Sequence, residues 1–229
     1  MIDCIDYVIT HKECNVDQDD LYKVLCVGGL RIQGMLCELD GENIAEYNTR
    51  LNETTGLYWI WKNTKSRFVG LSHYRRFFIA DGKRLDAQTI RQILVREKYD
   101  MIMAPVRIGC SIYANIRGGS GNQLTVQTHD LFRKAIAEKQ PEYVKAFDKV
   151  MAGNQMYYCG MFVTRRKLMN EYCKWLFSFL LDVVDQLDLE KCAGYKLRVA
   201  GYFCEAFWSV WLENHPELKV FDMPLEVIR

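Results

Sequence analysis

Residues 53–76 read ETTGLYWIWKNTKSRFVGLSHYRR, and the order of patterns inside this stretch decides the architecture. From Glu53 to Thr64, Leu57, Tyr58, Trp61 and Lys62 recur at helical spacing, which predicts an α-helix. Arg67-Phe68-Val69-Gly70-Leu71 follows directly as an apolar run of strand length. A helix feeding into a strand is the repeating unit of a layered α/β protein.

Upstream, Tyr7-Val8-Ile9-Thr10 is a β-rich run ending at polar His11-Lys12, as expected of a first strand feeding a functional loop. Residues 13–50 show little periodicity and predict a long, partly ordered loop with a short strand at Leu25-Cys26-Val27. Downstream, Asp86 to Lys98 predicts an amphipathic helix and Met101 to Ala104 a strand. Gly109, Gly118, Gly119 and Gly121 fall within an aperiodic 107–123, which predicts a mobile loop able to close over a ligand. Further helices are expected at Thr128–Glu138, with Thr128 as N-cap, at Glu142–Met151, Arg166–Leu187 and Tyr202–Glu213. Strands are expected at Tyr157–Thr164 and Lys219–Met223. The alternation argues for a single α/β domain over 1–229, with a mostly parallel central sheet flanked by helices. Such sheets bind ligands at the carboxyl ends of strands, which singles out the loops after residues 10, 71 and 104.

Composition narrows the function. Thirty basic against 29 acidic residues leave a net charge of +1, which argues against nucleic acid as a partner. The nine cysteines include no CxxC pair, so they read as reduced thiols in a cytoplasmic protein and not as a disulfide framework or zinc site. The first six residues, MIDCID, carry acids where a signal peptide carries positive charge, and no apolar run approaches the roughly 20 residues of a membrane span.

The most pointed chemical signal is Ser72-His73-Tyr74-Arg75-Arg76, directly after the apolar run ending at Leu71. Guanidinium forks match phosphate oxygens bidentately and stay charged in any pocket, so a diphosphate is a natural guest. The plainer alternative makes Arg75 and Arg76 surface ion pairs and His73 a satisfied core histidine. His11 and Lys12, after the first strand, are candidates for nucleotide contact, or they are an exposed loop. Asn43, in GENIAEYN, offers hydrogen bonds to a hydroxyl-rich ligand, or it is ordinary turn chemistry. Tyr58, Trp59 and Trp61 could stack on a ring, although aromatics at this spacing are usually core. His129 and Asp130 open a helix after the glycine-rich loop, where they could face whatever it covers. Glu205 interrupts the apolar run GYFCEAFW, and burial would raise its pKa toward a range useful for proton transfer. Its alternative role is an ion pair with Arg198.

Taken together, ITHK, GENIAEYN, LYWIWKN, VGLSHYRRFF, THDL, PEYVKAFDKVM, GMFVTRRKLMNEYCKWLF and AGYFCEAFWSVWL resemble a bacterial family known as domain of unknown function 4422, found among capsule, exopolysaccharide and O-antigen glycosyltransferases. The resemblance implies an abbreviated GT-A-like, nucleotide-sugar-binding fold and transfer of a sugar, galactose or galactofuranose among relatives, from a UDP-sugar to a lipid-linked oligosaccharide. With the residue chemistry above, this places the donor diphosphate at His73, Arg75 and Arg76, the nucleotide at His11, Lys12 and Asn43, and the acceptor side at His129 and Arg198. Glu205 is then the general base, with Asp130 second. No covalently bound cofactor is implied. The need for manganese or magnesium is left open, because SHYRR stands where related enzymes carry a metal-binding DxD. A lipid-linked acceptor implies peripheral association with the inner face of the cell membrane. Ala206 departs from the family pattern, in which an arginine commonly follows the glutamate. Two other readings remain: a non-catalytic nucleotide- or sugar-binding subunit of a polysaccharide assembly complex, and a phosphate-handling hydrolase, for which neither nucleophile nor metal cage is evident.

Overall fold

The structure, a computed structural model, describes residues 2–189 and 192–228. Its spine is a parallel run of four strands in the order β3, β2, β1, β4, where β1 is Cys4–Thr10, β2 Tyr22–Cys26, β3 Leu36–Cys37 and β4 Phe68–His73. Thr10 pairs with Cys26, Cys26 with Cys37 and Ile9 with His73, so all four carboxyl ends reach one edge. Between β1 and β2 the chain needs no helix. Between β3 and β4 it inserts α1 (Asn48–Leu51) and α2 (Thr54–Asn63), the expected helix-to-strand unit.

Beyond β4 the sheet turns mixed. After β5 (Arg76–Ala80) and β6 (Lys83–Arg84), β7 (Met101–Arg107) lies two places from β4, and β8 (Gln155–Arg165) fills the gap antiparallel to both. β9 (Val220–Asp222) adds parallel to β7, while β10 (Leu225–Val227) pairs with β5.

Strand alternation sorts the core onto two faces. Tyr7, Ile9, Leu71, Met103 and Phe162 face the main helical layer, whereas Val8, Val24, Phe68, Ile102 and Val163 face a smaller cluster with Phe77, Phe78 and Ile90. At the centre of the larger layer runs α9 (Val199–Glu213), apolar almost all round and therefore buried. Its Trp208 stacks on Tyr172 at 3.5 Å between ring centroids.

Several segments differ from the sequence-based expectations, each for a local reason. Residues 13–50 hold β2, β3 and α1 and not one short strand, because Tyr22 to Cys26 finds a partner in β1. The expected helix at 86–98 is α3 (Ala87–Arg91), capped by Asp86 through the Thr89 amide at 2.7 Å, followed by a π-helical turn at Gln92–Arg96. Most of 107–123 is not a mobile loop. Burial of Ile112 and Ile116, one turn apart, and a Ser111 cap on the Ala114 amide at 3.1 Å give helix α4 (Ile112–Ser120). Gly121, at φ +91°, breaks the path for one residue, and α5 (Asn122–Lys139) begins immediately. Thr128 is therefore no N-cap; it lies inside α5 and donates to the Leu124 carbonyl at 2.7 Å. After α6 (Val144–Ala152), the long helix expected at 166–187 divides into α7 (Arg166–Phe177) and α8 (Leu180–Asp185), where the Ser178 hydroxyl donates to the Trp175 carbonyl at 2.7 Å. No helix among the described residues is long and apolar enough to cross a membrane.

Candidate functional site

β4 does not stop at Leu71. It carries Ser72 and His73 to the sheet edge, turns at Tyr74-Arg75 and returns as β5, with His73 paired to Arg76. The neighbouring strand makes room. Phe162 of β8 pairs with Met103 but Tyr157 with Pro105, so residues 158–161 loop out of the ladder, with Cys159 at φ +54° and Gly160 at φ +62°. A bulge of this kind re-aims side chains beside a site, and Cys159, a non-glycine residue at positive φ, stores strain there. It also presents the Cys159 carbonyl to His73, whose Nε2–H donates to it at 2.9 Å. A carbonyl only accepts, so this bond fixes His73 as the Nε2–H tautomer. Burial, reinforced by the charges of Arg76, His11 and Arg75 and opposed by the Cys159 carbonyl, lowers the His73 pKa to about 4. His73 is thus a neutral hydrogen-bonding group at physiological pH.

Beyond this edge opens a cavity of about 460 Å³, walled by His11 after β1, Gly28 after β2, the β4–β5 turn, Tyr158 and Cys159 of the bulge, Asn48 to Glu53 around α1, and Arg198, Tyr202 and Glu205 of the α9 region. Its size suits a small organic ligand. Tyr74 gathers the cations at its mouth: Lys12 Nζ lies 5.5 Å and the Arg75 guanidinium 5.0 Å from its ring centre, and His11 meets it edge-on at 5.7 Å. Arg76 sits over Tyr158 at 5.4 Å and Arg198 over the exposed Tyr195 at 5.5 Å. The Tyr74 hydroxyl and Arg76 Nε are buried without a partner among the described residues, donors available to an oxygen-rich ligand. Burial, followed by the charges of Arg198, Lys12 and Arg75, lowers the His11 pKa.

The wall near Gly28 is itself held in place. Fully buried Glu38 accepts the Gly28 backbone N–H through Oε1. Gly28 adopts φ +68°, and a β-carbon there would sit 2.7 Å from Asn48 Oδ1. The Asn48 amide in turn donates to the Asn52 carbonyl at 3.0 Å and to Thr55 Oγ1 at 2.8 Å.

Deeper in, two carboxyls share the cavity. Burial raises Glu205 to about 7, with Arg76 and then Cys159 opposing. Burial and then the Glu205 charge raise Glu53 to about 8, against the backbone and the charges of Arg76 and Arg198.

Of the residues singled out by sequence, His11, His73, Arg75, Arg76, Arg198 and Glu205 meet in this cavity, and Lys12 adjoins it through Tyr74. The other three lie off its wall. Asn43 closes its own turn, donating to the Gly41 carbonyl at 2.9 Å and accepting from the Ala45 amide at 3.2 Å. His129 is packed among Tyr113 and Phe147, its Nδ1 3.1 Å from exposed Asp130. Among the described residues no ion pair joins Glu205 to Arg198; the cation that acts on Glu205 is Arg76. Glu53 does not stand out in the sequence, because an acid at a helix start is ordinary dipole chemistry. Nothing in the sequence flags Gly28 either, whereas Asn48 closes the GENIAEYN stretch of hydrogen-bonding side chains and does reach the cavity wall. No group of three or more His, Cys, Asp or Glu side chains among the described residues is arranged to hold a metal ion. The cavity's prominent cations are guanidinium groups.

No curated protein matches the chain. A solved structure titled as the WbbM bifunctional glycosyltransferase in its apo form shares the fold, with a TM-score of 0.83 at 22% identity over 97% of this chain. The chain spans 45% of that protein's length. With residues 6–216 matched by the family described as domain of unknown function (DUF4422), the chain belongs to that family.

Proposed function

We propose that the chain is a glycosyltransferase that moves a sugar, galactose or galactofuranose, from a UDP-sugar to a hydroxyl of a lipid-linked glycan in bacterial surface polysaccharide biosynthesis. The observation that carries this reading is the convergence of His11, His73, Arg75, Arg76, Arg198 and Glu205 on one cavity at the carboxyl ends of β1 and β4. Cations and unpaired donors at such an edge suit a nucleotide diphosphate. The fold shared with a protein titled as a bifunctional glycosyltransferase supports the same class.

In this reading His11 and Lys12 contact the nucleotide. Arg75 and Arg76 take up the charge that develops on the departing diphosphate, the principal electrostatic demand of the transition state. Glu205 removes the acceptor proton as the new glycosidic bond forms and the sugar–phosphate bond breaks in an inverting displacement. Asp130 lies off the cavity wall, which favours Glu205 for this role. The lipid-linked acceptor brings the protein to the inner membrane face as a peripheral component.

Thermal denaturation against a panel of nucleotides and nucleotide sugars, with and without manganese, tests the donor assignment. A ligand at about 100 times its Kd stabilises the fold by about 2.7 kcal/mol, well above detection. The expected result is a shift specific to UDP or a UDP-sugar that disappears in Arg75→Ala. Absence of a shift with every nucleotide at millimolar concentration would sink the assignment, and binding without donor turnover would make the chain a non-catalytic subunit.

A further inference from the structure

The cavity contains more acid than a site for a diphosphate should tolerate. Glu53 and Glu205 both open into it, and two ionised carboxylates there would repel the ligand that the arginines attract. Their closeness follows from packing. Gly201 and Glu205 are one helical turn apart on α9, and Gly201 sits against the α1–α2 junction so tightly that a β-carbon on it would fall 2.5 Å from Asn52 Nδ2 and 3.2 Å from the Arg50 carbonyl oxygen. The next turn of the same face therefore brings Glu205 to the residue after Asn52, which is Glu53.

We propose that Glu53 and Glu205 form a singly charged carboxyl pair, in which Glu205 is the ionised member that takes the acceptor proton and Glu53 is the protonated member that keeps a second negative charge out of the cavity. This rests on the transferase reading above. The surroundings decide which member ionises. Arg76 on β5 acts on both, Arg198 before α9 acts on Glu53, and the neighbouring Cys159 on β8 and Cys204 and Tyr202 on α9 are kept protonated by burial. Arg76 is the leading influence that opposes burial at Glu205, whereas burial at Glu53 is reinforced by the Glu205 charge, so Glu205 loses its proton first. Three guanidinium groups against one carboxylate then leave two positive charges, the complement of a nucleotide-sugar diphosphate. In the reaction the acceptor O–H proton passes to the Glu205 carboxylate. The acceptor oxygen bonds to the anomeric carbon, and the bond to phosphate breaks with its electron pair leaving on the diphosphate. Glu53 is a positioning residue: it gains and loses nothing.

Carbon-13 NMR of the free protein with glutamate carboxyls labelled tests the pair without any ligand. Two glutamates titrating at about 7 and about 8 are expected, well apart from the surface carboxylates. Glu53→Gln should delete the upper titration, and Glu205→Gln should move that of Glu53 downward by removing the neighbouring charge. A Glu53 titration identical in Glu205→Gln and wild type overturns the pairing. With UDP-galactose as donor probe, turnover of the wild type should fall as pH rises past about 8, and Glu53→Gln, neutral at every pH, should abolish that fall. An unaltered alkaline fall in Glu53→Gln overturns the role assigned to Glu53. Glu205→Gln should lose at least about 100-fold in turnover. Wild-type turnover in that variant, with the Glu53 titration moved downward as expected, would instead overturn the base assignment of the transferase reading.

Discussion

Replacing Gly201 by alanine tests the packing that brings the two glutamates together. The added methyl would meet Asn52 Nδ2 at 2.5 Å and the Arg50 carbonyl at 3.2 Å, so one element must yield by about 1 Å to restore normal contact. Little slack is available. Asn52 already holds φ +51° and ψ −129°, a region that L side chains avoid, and its carbonyl accepts from both Asn48 and Thr55. On the other side α9 is anchored by Phe203, Phe207, Trp208 and Trp211, all buried. Overpacking of this kind costs about 1–3 kcal/mol. For a chain of this size that is a drop of about 2–12 °C in the melting temperature, measurable by circular dichroism. Asn52→Gly removes the clashing amide and suits the backbone angles, so the double variant should melt higher than the two single effects added together, with a coupling of about 0.5–3 kcal/mol. A Gly201→Ala protein that melts within about 1 °C of the parent would refute the reasoning, because it would mean that the helix and the junction have room to part.

Two further outcomes concern buried titrating groups. Asp6 is fully buried; among the described residues its Oδ1 has no partner and its Oδ2 accepts the Ser72 hydroxyl at 2.8 Å, so burial raises it from 3.8 to about 7. Between those values the folded state binds more protons than the unfolded chain; stability is therefore greatest at the acid end of this window and declines by about 4 kcal/mol as the pH climbs through it. Asp6→Asn should lose that decline relative to wild type in urea titrations at successive pH values, and an unchanged slope would refute the assignment. His73, held as the Nε2–H tautomer, should titrate at about 4 in nitrogen-15 NMR, and a midpoint near its ordinary 6.5 would show that burial and the surrounding arginines do not control it.

Much of the fold is legible in the chain because the signals are local. The apolar run at 67–71 and the helix before it become β4 and α2, and the alternation of Tyr7, Val8 and Ile9 already divides the core into two faces. Errors collect where a segment's conformation depends on a distant partner. Tyr22 to Cys26 becomes a strand because β1 lies beside it, and Ile112 to Ser120 becomes a helix because Ile112 and Ile116 have a core to enter. Glycines at 118 and 119 weigh against that helix locally and are outvoted by burial.

For the site, the residue types are readable: arginines, histidines and a glutamate in apolar company are unusual enough to stand out, and their positions at strand ends follow from pattern alone. Their assembly is not readable. Glu53 looks like any helix-opening acid until α9 lays Glu205 against it, and Cys159 like any buried thiol until the bulge turns its carbonyl toward His73. Local propensity and hydrophobic period act over a few residues and so can be read along the chain. Desolvation, charge coupling and close backbone approach act through space between residues as far apart as 53 and 205, and they exist only once the helices and the sheet have packed.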